Sequence, residues 1–257
     1  MSRPKALDLC CCEGGVSKGV SDHFDVYGVD LFEDYSQARY PFPSLKGDVL
    51  DVMARLEAGD ALPFRHKDGH IEWLTLADFV LVLGSPPCQH ASAGTRALRK
   101  AGAKTYPRLI EPIRDFMVRT GKPYVIENVK GADLRHPMRL CGCMFDLKAT
   151  DTDGIVLYLE RPRLFESNVL LTPPRPCTEC GKREWVGGSY GGARRDKYEA
   201  KYVRKGGYVP SIPVQRELLG IDWMTQKGMH QAIPPAYASH IAGQVADYLA
   251  LTAERAA

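Results

Sequence analysis

The sequence lacks a long apolar run. None of its 257 residues belongs to a stretch of about 20 consecutive apolar residues, the length that a membrane-spanning helix requires. The N-terminal residues, Met1–Lys5, lead directly into a predicted strand and carry no apolar segment of a secretion signal. We therefore expect no membrane partner and a cytoplasmic location.

A strong charge of one sign is also missing. The chain contains 34 Lys and Arg against 31 Asp and Glu, a net charge of +3, which is compatible with nucleic-acid binding but does not indicate it. Its eight cysteines are not spaced like a disulfide framework, because Cys10–Cys12 are consecutive and Cys141 and Cys143 are too close for a mutual bridge. We expect a reduced protein.

The chain begins like a doubly wound α/β sheet but lacks the G-x-G-x-x-G turn of dinucleotide-binding proteins. A predicted strand, Ala6–Cys10, precedes a glycine-containing turn and a helix, and the next strand, Val26–Asp30, ends in an acid. A carboxylate at that place commonly binds ribose hydroxyls. The missing turn disfavours NAD and leaves S-adenosylmethionine as the better candidate. The alternative is a tight loop with solvated acids.

The segment Gly84–Gln89 is the most informative part of the sequence. It follows an apolar strand, Phe79–Leu83, and its two prolines each fix φ at about −65°, so the turn is rigid. Ligands bind beyond the carboxyl ends of such strands, which makes Cys88 on this turn a candidate nucleophile. The alternative is a buried, inert cysteine.

Five motifs follow one another along nearly the whole chain. They are Asp8-Leu9 with Gly14-Gly15, Pro87-Cys88-Gln89, Glu127-Asn128-Val129, Arg161-Pro162-Arg163 and Gln231–Pro235. In this order they resemble the DNA cytosine-5 methyltransferase family, and its small phage-type and prokaryotic members in particular. The second and third motifs carry most of the specificity. The resemblance implies an α/β, Rossmann-like fold that depends on S-adenosylmethionine, a small target-recognition insert, and double-stranded DNA as the partner of a monomer.

The resemblance also implies roles for the catalytic motifs. Cys88 corresponds to the cysteine that adds to C6 of a flipped cytosine, and Glu127 to the acid near N3. Arg163 corresponds to the arginine that contacts cytosine O2, Arg161 to its companion, and Asn128 to a residue that orients the cysteine loop. No residue is assigned to removal of the C5 proton, for which a water molecule suffices.

Two further sets complete the candidate site. The cofactor-binding set is Asp8, Cys10, Gly14, Gly15, Asp30, Leu31, Asp48 and Pro86. The DNA-binding set is Gln89, Ser92 and Arg96 after the nucleophile, and Arg194, Arg195 and Lys197 in a basic segment interleaved with tyrosines. For each basic residue, a solvated surface position is the alternative.

The sequence departs from the family pattern at four positions. Cys10 and Cys12 stand where the family has phenylalanine and glycine, Leu159 replaces a glutamine, and Gln231 replaces an asparagine. These changes fall in the predicted cofactor and base pocket and leave the nucleophile and the acid intact. A modified S-adenosylmethionine as group donor is therefore an open alternative.

Changes in composition divide the chain into three regions. We predict a catalytic, cofactor-binding domain over 1–167, a target-recognition region over 168–213, and a C-terminal segment over 214–257 whose helix packs back on the catalytic domain. Cys177 and Cys180 form half of a zinc knuckle, and Cys141 and Cys143 are candidates for the other two ligands. We expect no metal here, and a four-cysteine zinc site is the alternative.

Two functions remain open beside DNA methylation. An RNA cytosine-5 methyltransferase acting on tRNA uses the same motifs, and an inactive DNA-binding homologue would keep the fold. No restriction-nuclease signature accompanies the motifs, so we expect an enzyme that acts without a partner nuclease. The alternative is a methyltransferase that belongs to a restriction–modification system. If the gene belongs to a phage, the location is the cytoplasm of the host cell.

Overall fold

The computed structural model describes residues 3–92, 101, 106–189 and 207–256. Within these residues a nine-stranded mixed sheet forms the centre of the protein. Its strands are β1 (Lys5–Leu9), β2 (Asp25–Asp30), β3 (Ser44–Lys46), β4 (Leu62–Arg65), β5 (Ile71–Leu74), β6 (Phe79–Gly84), β7 (Tyr124–Asn128), β8 (Met138–Leu140) and β11 (Arg163–Ser167), while β9 (Lys148–Thr150) pairs with β10 (Val156–Tyr158). The helices are α1 (Gly15–Val20), α2 (Asp34–Arg39), α3 (Val49–Glu57), α4 (Ile110–Thr120), α5 (Ile212–Leu219), α6 (Gln226–Gln231) and α7 (Pro235–Ala256).

The chain winds in two directions from β1. It forms β2 and β3 on one side and then returns to form β6 and β7 on the other, with these five strands parallel. The strand order therefore reverses between β1 and β6, where α/β proteins bind ligands beyond the carboxyl ends of the strands. Antiparallel strands extend both edges, β4 and β5 on one and β11 and β8 on the other. The predicted doubly wound α/β fold is confirmed.

Helices cover both faces of the sheet. Successive residues of a strand point to opposite faces, so Ala6 belongs to the core under α1 and α7, and Leu7 to the core under α3 and α4. The predicted C-terminal helix is α7, and its Tyr237, Ile241 and Val245 are buried against the sheet. Within the described part of the chain, no helix is long and apolar enough to cross a membrane.

Glycines let α1 approach the start of α7 closely. A Cβ atom at Gly15 would lie 2.5 Å from the carbonyl oxygen of Ile233, and one at Gly19 would lie 2.1 Å from that of Pro235. Gly14 precedes α1 with a φ of 88°, in the left-handed region that other residues rarely adopt. The glycine turn therefore has a packing function as well as a place near the candidate site.

A third apolar cluster lies beside the sheet. Leu157 of β10, Leu218 of α5 and Tyr208 are buried in it. A backbone bridge between Tyr158 of β10 and Val186 attaches the described part of the predicted target-recognition region to this cluster, and a second bridge joins Gly187 to Tyr208 within the region. The limits of that region, 168–213, stay a prediction.

Gly19→Ala is expected to destabilise the protein, because the new Cβ meets the backbone of α7 rather than a side chain that can move. We expect a loss of about 1–3 kcal/mol in the free energy of unfolding, measured by urea denaturation. Gly243→Ala is the matched control, since a Cβ there would lie an ordinary 3.4 Å from His23 and helix propensity favours alanine by roughly 0.5–1 kcal/mol. Equal stabilities of the two variants would contradict the close approach of α1 and α7.

Candidate active site

A cavity of about 570 Å³ opens at the carboxyl ends of β1, β2 and β6, where the strand order reverses. Its walls come from segments at the carboxyl ends of β1, β2, β3 and β6, from the end of α6 and from the loop between α6 and α7. They include Cys10–Glu13, Asp30–Glu33, Gly47–Val49, Ser85–Gln89 and His230–Ile233. Glu127 at the end of β7 and Arg163 at the start of β11 also line it. A thiol, a carboxyl group and a guanidinium therefore meet in one pocket.

Cys88 stands on a rigid loop between β6 and a single turn of 3₁₀ helix that it begins. Two hydrogen bonds hold this loop. Ser85 N donates to the carbonyl oxygen of Leu9 (3.0 Å), and Asn128 Nδ2 donates to that of Pro86 (2.9 Å). Because Asn128 is buried at the end of β7, it ties the loop of Cys88 to the neighbouring strand. The Cys88 side chain is half-buried in the cavity wall.

The surroundings of Cys88 raise the pKa of its thiol. Burial is the main cause and the charge of Glu127 adds to it, while Arg163 and Arg161 act in the opposite direction. Since the thiolate is the nucleophilic form, loss of the negative charge on Glu127 favours reactivity at Cys88. The ionisation states of the two groups are therefore coupled.

Glu127 and Arg163 form a buried ion pair in the cavity wall. Arg163 Nε lies 3.1 Å from Glu127 Oε1, and both side chains are less than 10 % exposed, at 7 % and 9 %. The antiparallel pairing of β7 with β11 places Phe165 opposite Glu127 and so brings the start of β11 beside the end of β7. Burial raises the pKa of Glu127 to about 7, although Arg163 and Arg161 oppose the shift. Near neutral pH this carboxyl group is able to give or take a proton.

Arg161 lies behind the cavity wall and binds the end of α6. Its guanidinium donates to the carbonyl oxygens of Met229 (3.2 Å), His230 (2.9 Å) and Ala232 (2.7 Å), and to Ser189 Oγ (2.6 Å). Its φ of 37° is in the left-handed region, at a cost of about 1–3 kcal/mol for a residue other than glycine. The structure gives Arg161 a positioning role, because it fixes the loop between α6 and α7 that forms one wall.

Six of the eight predicted cofactor-binding residues line the cavity. They are Cys10, Gly15, Asp30, Leu31, Asp48 and Pro86. Cys12 N donates to Asp30 Oδ2 (2.8 Å), and burial raises the pKa of Asp30 although backbone N–H groups of the following loop oppose the shift. Asp48 caps α3, since its Oδ1 accepts a hydrogen bond from Leu50 N (2.8 Å).

Asp8 and Gly14, the other two predicted cofactor ligands, lie behind the cavity rather than in its wall. Asp8 is fully buried and accepts a hydrogen bond from Ser17 Oγ, which also lies 2.9 Å from Tyr40 Oη. Burial raises the pKa of Asp8 to about 7, and within the described residues its second oxygen has no hydrogen-bond partner. The ring of Tyr40 packs against Gly14. Both residues therefore shape the turn without facing the cavity.

Two of the four departures from the family pattern contact each other. The thiol of Cys12 donates to Gln231 Oε1 (3.2 Å), and both residues line the cavity. Cys12 has a φ of 51° and Cys10 a φ of 60°, conformations in which glycine would be unstrained. Leu159 is buried in the third apolar cluster instead. The changes at Cys12 and Gln231 therefore form one local unit, although 219 positions separate them.

Glu13 is a residue of the site that sequence reasoning missed. Its carboxylate accepts hydrogen bonds from Thr225 N (2.7 Å) and Thr225 Oγ1 (2.6 Å), and its carbonyl oxygen accepts one from Trp223 Nε1 (2.7 Å). It is buried and lines the cavity. Glu13 thus fixes the start of α6 to the turn after β1. No local pattern marks it, because its partners lie 210 and 212 positions away.

Two of the six predicted DNA-binding residues are among those that the structure describes. Gln89 and Ser92 line the cavity beside the nucleophile. The remaining candidates, Arg96, Arg194, Arg195 and Lys197, lie outside the described residues. A role in DNA binding stays a prediction for all six.

The four cysteines of the alternative zinc site come together in space. The Sγ atoms of Cys141, Cys143, Cys177 and Cys180 all lie within 4.8 Å of one another. In the described part of the chain, these residues are not among those that line the cavity. The cysteine pairs that the sequence suggested as partners therefore meet at a place separate from the candidate active site.

The fold of the protein is similar to that of known methyltransferases, although its sequence is not. No protein-family model matches the sequence, and no curated protein matches it. A putative DNA modification methyltransferase encoded within an E. coli prophage is 11 % identical, with a TM-score of 0.53 over 95 % of this chain and 99 % of its own. The S. pombe Dnmt2 methyltransferase is 11 % identical, with a TM-score of 0.51 over 96 % and 99 %. The chain has the fold of these methyltransferases.

Glu127→Gln tests the raised pKa at the centre of this methyltransferase fold. The folded pKa of about 7 lies above the ordinary 4.5, so the wild-type protein loses stability as the pH rises from 4.5 through 7. Glutamine resembles the neutral acid at every pH, so the variant should not lose stability in this way as the pH rises. We expect similar free energies of unfolding at acidic pH and a variant more stable by roughly 2–3 kcal/mol at about pH 8.

Urea denaturation at the two pH values measures the difference for Glu127→Gln. Glu254→Gln, on an exposed position of α7, is the control and should show no pH-dependent difference from the wild type. If Glu127→Gln is the less stable protein above pH 7, Arg163 holds Glu127 as a carboxylate and the raised pKa is wrong.

Proposed function

We propose that the protein transfers a methyl group from S-adenosylmethionine to C5 of a cytosine in DNA. One observation carries the proposal: half-buried Cys88 and the buried pair of Glu127 and Arg163 line the same cavity at the switch point of the sheet. A nucleophile, a proton donor and a cation are thus available in one pocket. An inactive DNA-binding homologue is less well supported, because burying charged groups is costly and DNA binding alone does not require it.

The rest of the cavity fits S-adenosylmethionine. Its volume of about 570 Å³ is within the ordinary range of small-molecule sites, roughly 300–1,000 Å³. Asp30 at the end of β2 would bind the ribose hydroxyls, and Leu31 would pack against the adenine. The carboxyl groups of Asp30 and Asp48, which both line the cavity, favour a positively charged ligand. When bound, the cofactor supplies an electrophilic methyl group on a sulfonium.

Cys88 would activate the cytosine ring, because C5 alone is too weak a nucleophile. The thiolate of Cys88 forms a bond to C6, and the π electrons of the C5–C6 bond move to C4–C5. The electron pair of the C4–N3 bond moves onto N3, where Glu127 supplies a proton. C5 is then part of an enamine, whose electron pair would take the methyl group that the cofactor supplies, while the electron pair of the methyl–sulfur bond would stay on the sulfur of the cofactor.

Glu127 and Cys88 would also complete the cycle. The carboxylate of Glu127 takes back the proton of N3 as the C4–N3 double bond forms again, and Arg163 stabilises that carboxylate from 3.1 Å. A water molecule removes the proton from C5, the C5–C6 double bond forms, and the electron pair of the C6–S bond leaves with Cys88 as the thiolate. Every group of the chain thus returns to its starting state.

The substrate class we propose is duplex DNA. A cytosine within a duplex cannot reach the cavity, so it must be flipped out at a cost of a few kcal/mol. Gln89 and Ser92 lie beside Cys88, at the place where the flipped nucleotide would enter. One of the two structural neighbours is described as a putative DNA modification methyltransferase, which supports DNA over RNA.

A library of duplexes that contain 5-fluorocytosine is expected to trap the protein. Fluorine at C5 cannot be removed as a proton, so Cys88 should stay bonded to C6 after methyl transfer. With S-adenosylmethionine we expect a covalent complex on a denaturing gel for the wild type and none for Cys88→Ala. The same library without fluorine is the control and should give no stable complex.

Mass spectrometry of nucleosides separates the alternatives. DNA incubated with the protein and S-adenosylmethionine should gain 5-methylcytosine. Methylation of tRNA but not of duplex DNA would contradict the proposed substrate, and no product on either would support the inactive homologue. A C5 substituent heavier than methyl, formed with cell extract as the source of cofactor, would point to a modified donor.

Asp30→Asn is expected to weaken the binding of S-adenosylmethionine. The substitution removes the charge but keeps an oxygen that accepts from Cys12 N. Loss of one charge-assisted hydrogen bond, about 1.5–3 kcal/mol, corresponds to roughly 10–100-fold weaker binding by calorimetry. Asp51→Asn, on an exposed position of α3, is the control. Unchanged affinity of Asp30→Asn would contradict the placement of the ribose.

A further inference from the structure

Four cysteines outside the cavity form a second site. Cys141 and Cys143 come from the turn between β8 and β9, and Cys177 and Cys180 from the segment after β11. The Sγ atoms of this cysteine cluster all lie within 4.8 Å of one another. We propose that the cysteine cluster binds one structural zinc ion.

The sulfur atoms form a four-way contact rather than two pairs. Cys180 Sγ lies 2.6 Å from Cys141 Sγ, 2.9 Å from Cys177 Sγ and 3.2 Å from Cys143 Sγ, and Cys143 Sγ lies 3.2 Å from Cys177 Sγ. A disulfide bond requires about 2.05 Å between the members of one pair. Thiols offer one another only weak hydrogen bonds. A shared cation explains why four sulfur atoms converge on one point.

A tetrahedral zinc site requires only a small adjustment of this geometry. Zinc–sulfur bonds of about 2.3 Å place the sulfur atoms of a tetrahedron about 3.8 Å apart. The four Sγ–Sγ distances given above, 2.6–3.2 Å, are shorter than that value, and every pair in the cysteine cluster lies within 4.8 Å. Binding of zinc would therefore move these sulfur atoms apart by roughly 0.6–1.2 Å.

Glu160 holds the two cysteine-bearing turns together. Gly142 N donates to its carbonyl oxygen (2.7 Å), and Gly181 N donates to its Oε1 (2.6 Å). Gly142 is required at its position, since a Cβ there would lie 2.1 Å from the carbonyl oxygen of Leu159. The backbone on both sides of the cysteine cluster is therefore fixed by partners outside the ligand set, as in known metal sites.

The donor set favours zinc over hard cations and indicates a structural function. Sulfur ligands are soft and favour zinc over magnesium or calcium, which prefer oxygen. Four protein ligands fill the tetrahedral coordination of zinc and leave no position for a reactive water, which is typical of a structural site. The ion would therefore stabilise the fold and take no part in the chemistry of the cavity.

The cysteine cluster is connected to the candidate active site through Arg161. Tyr237 Oη, on α7, lies within hydrogen-bonding distance of the carbonyl oxygens of Glu160 (3.2 Å) and Arg161 (3.1 Å). Glu160 accepts hydrogen bonds from Gly142 N and Gly181 N beside the cysteine cluster, and the guanidinium of Arg161 holds the end of α6, where Gln231 lies. Zinc would thus help to fix the backbone of Glu160 and of the adjacent Arg161. Arg161 has a strained φ, and its side chain supports one wall of the cavity.

Metal analysis of the full-length protein, purified under reducing conditions without chelators, tests the proposal. We expect one zinc ion per chain by plasma mass spectrometry. Exchange for Co²⁺ should give the intense visible absorption of a tetrahedral thiolate complex. Both readouts are independent of methyl transfer, so they distinguish failure of this proposal from failure of the proposed function.

Three variants locate the metal. Cys177→Ala combined with Cys180→Ala should contain no zinc, whereas Cys88→Ala, in the cavity, should retain one zinc per chain. Cys177→His supplies another zinc ligand and should retain zinc, with the absorption of its Co²⁺ form shifted. If the double alanine variant does not fold, the wild type and Cys177→His decide the question.

Several results would overturn the proposal. One is a wild-type protein with reduced thiols that binds no metal even after incubation with zinc. Another is a pair of disulfides in the cysteine cluster, detected by mass spectrometry after alkylation of the free thiols. Zinc that persists in the double alanine variant, or iron in place of zinc in the wild type, would contradict the site or the ion.

Discussion

The buried ion pair of Glu127 and Arg163 is the constraint on which the rest of the site depends. The antiparallel pairing of β7 with β11 brings the two side chains to 3.1 Å in a wall from which water is largely excluded. Burial favours the neutral acid and Arg163 favours the carboxylate, so the pKa of Glu127 lies at about 7. Because the charge of Glu127 also raises the pKa of Cys88, one buried proton links the candidate acid to the candidate nucleophile.

The cavity around this pair is assembled from distant parts of the chain. Segments at the carboxyl ends of β1, β2, β3, β6 and β7 line it, together with the end of α6 and the loop between α6 and α7. Glu13 holds the start of α6 through Thr225, and Arg161 holds its end through three carbonyl oxygens. Gly15 and Gly19 bring α7 close to α1. A substitution among these residues would displace a wall of the cavity without removing a reactive group.

The sequence could predict those parts of the site that a strand and its following turn create. Asp30 ends one recognisable apolar strand and Cys88 follows another, so the doubly wound fold alone brings them to the same edge of the sheet. Contacts between distant positions could not be predicted, such as that of Gln231 with a cysteine of the first turn. The sequence also does not show how far a residue lies from the cavity. Asp8 belongs to a strand that ends at the cavity but is buried behind its wall. Arg161 has a positive φ, and its guanidinium binds the end of α6.

The proposed chemistry depends on a change in the charge of Glu127 near neutral pH. Titration of its side-chain carboxyl carbon by ¹³C nuclear magnetic resonance, with the signal assigned from its loss in a variant at this position, measures that property directly. The structure predicts a midpoint at about pH 7. A midpoint close to the ordinary 4.5 would mean that Arg163 outweighs burial, and Glu127 would then be a permanent carboxylate unable to protonate a ring nitrogen.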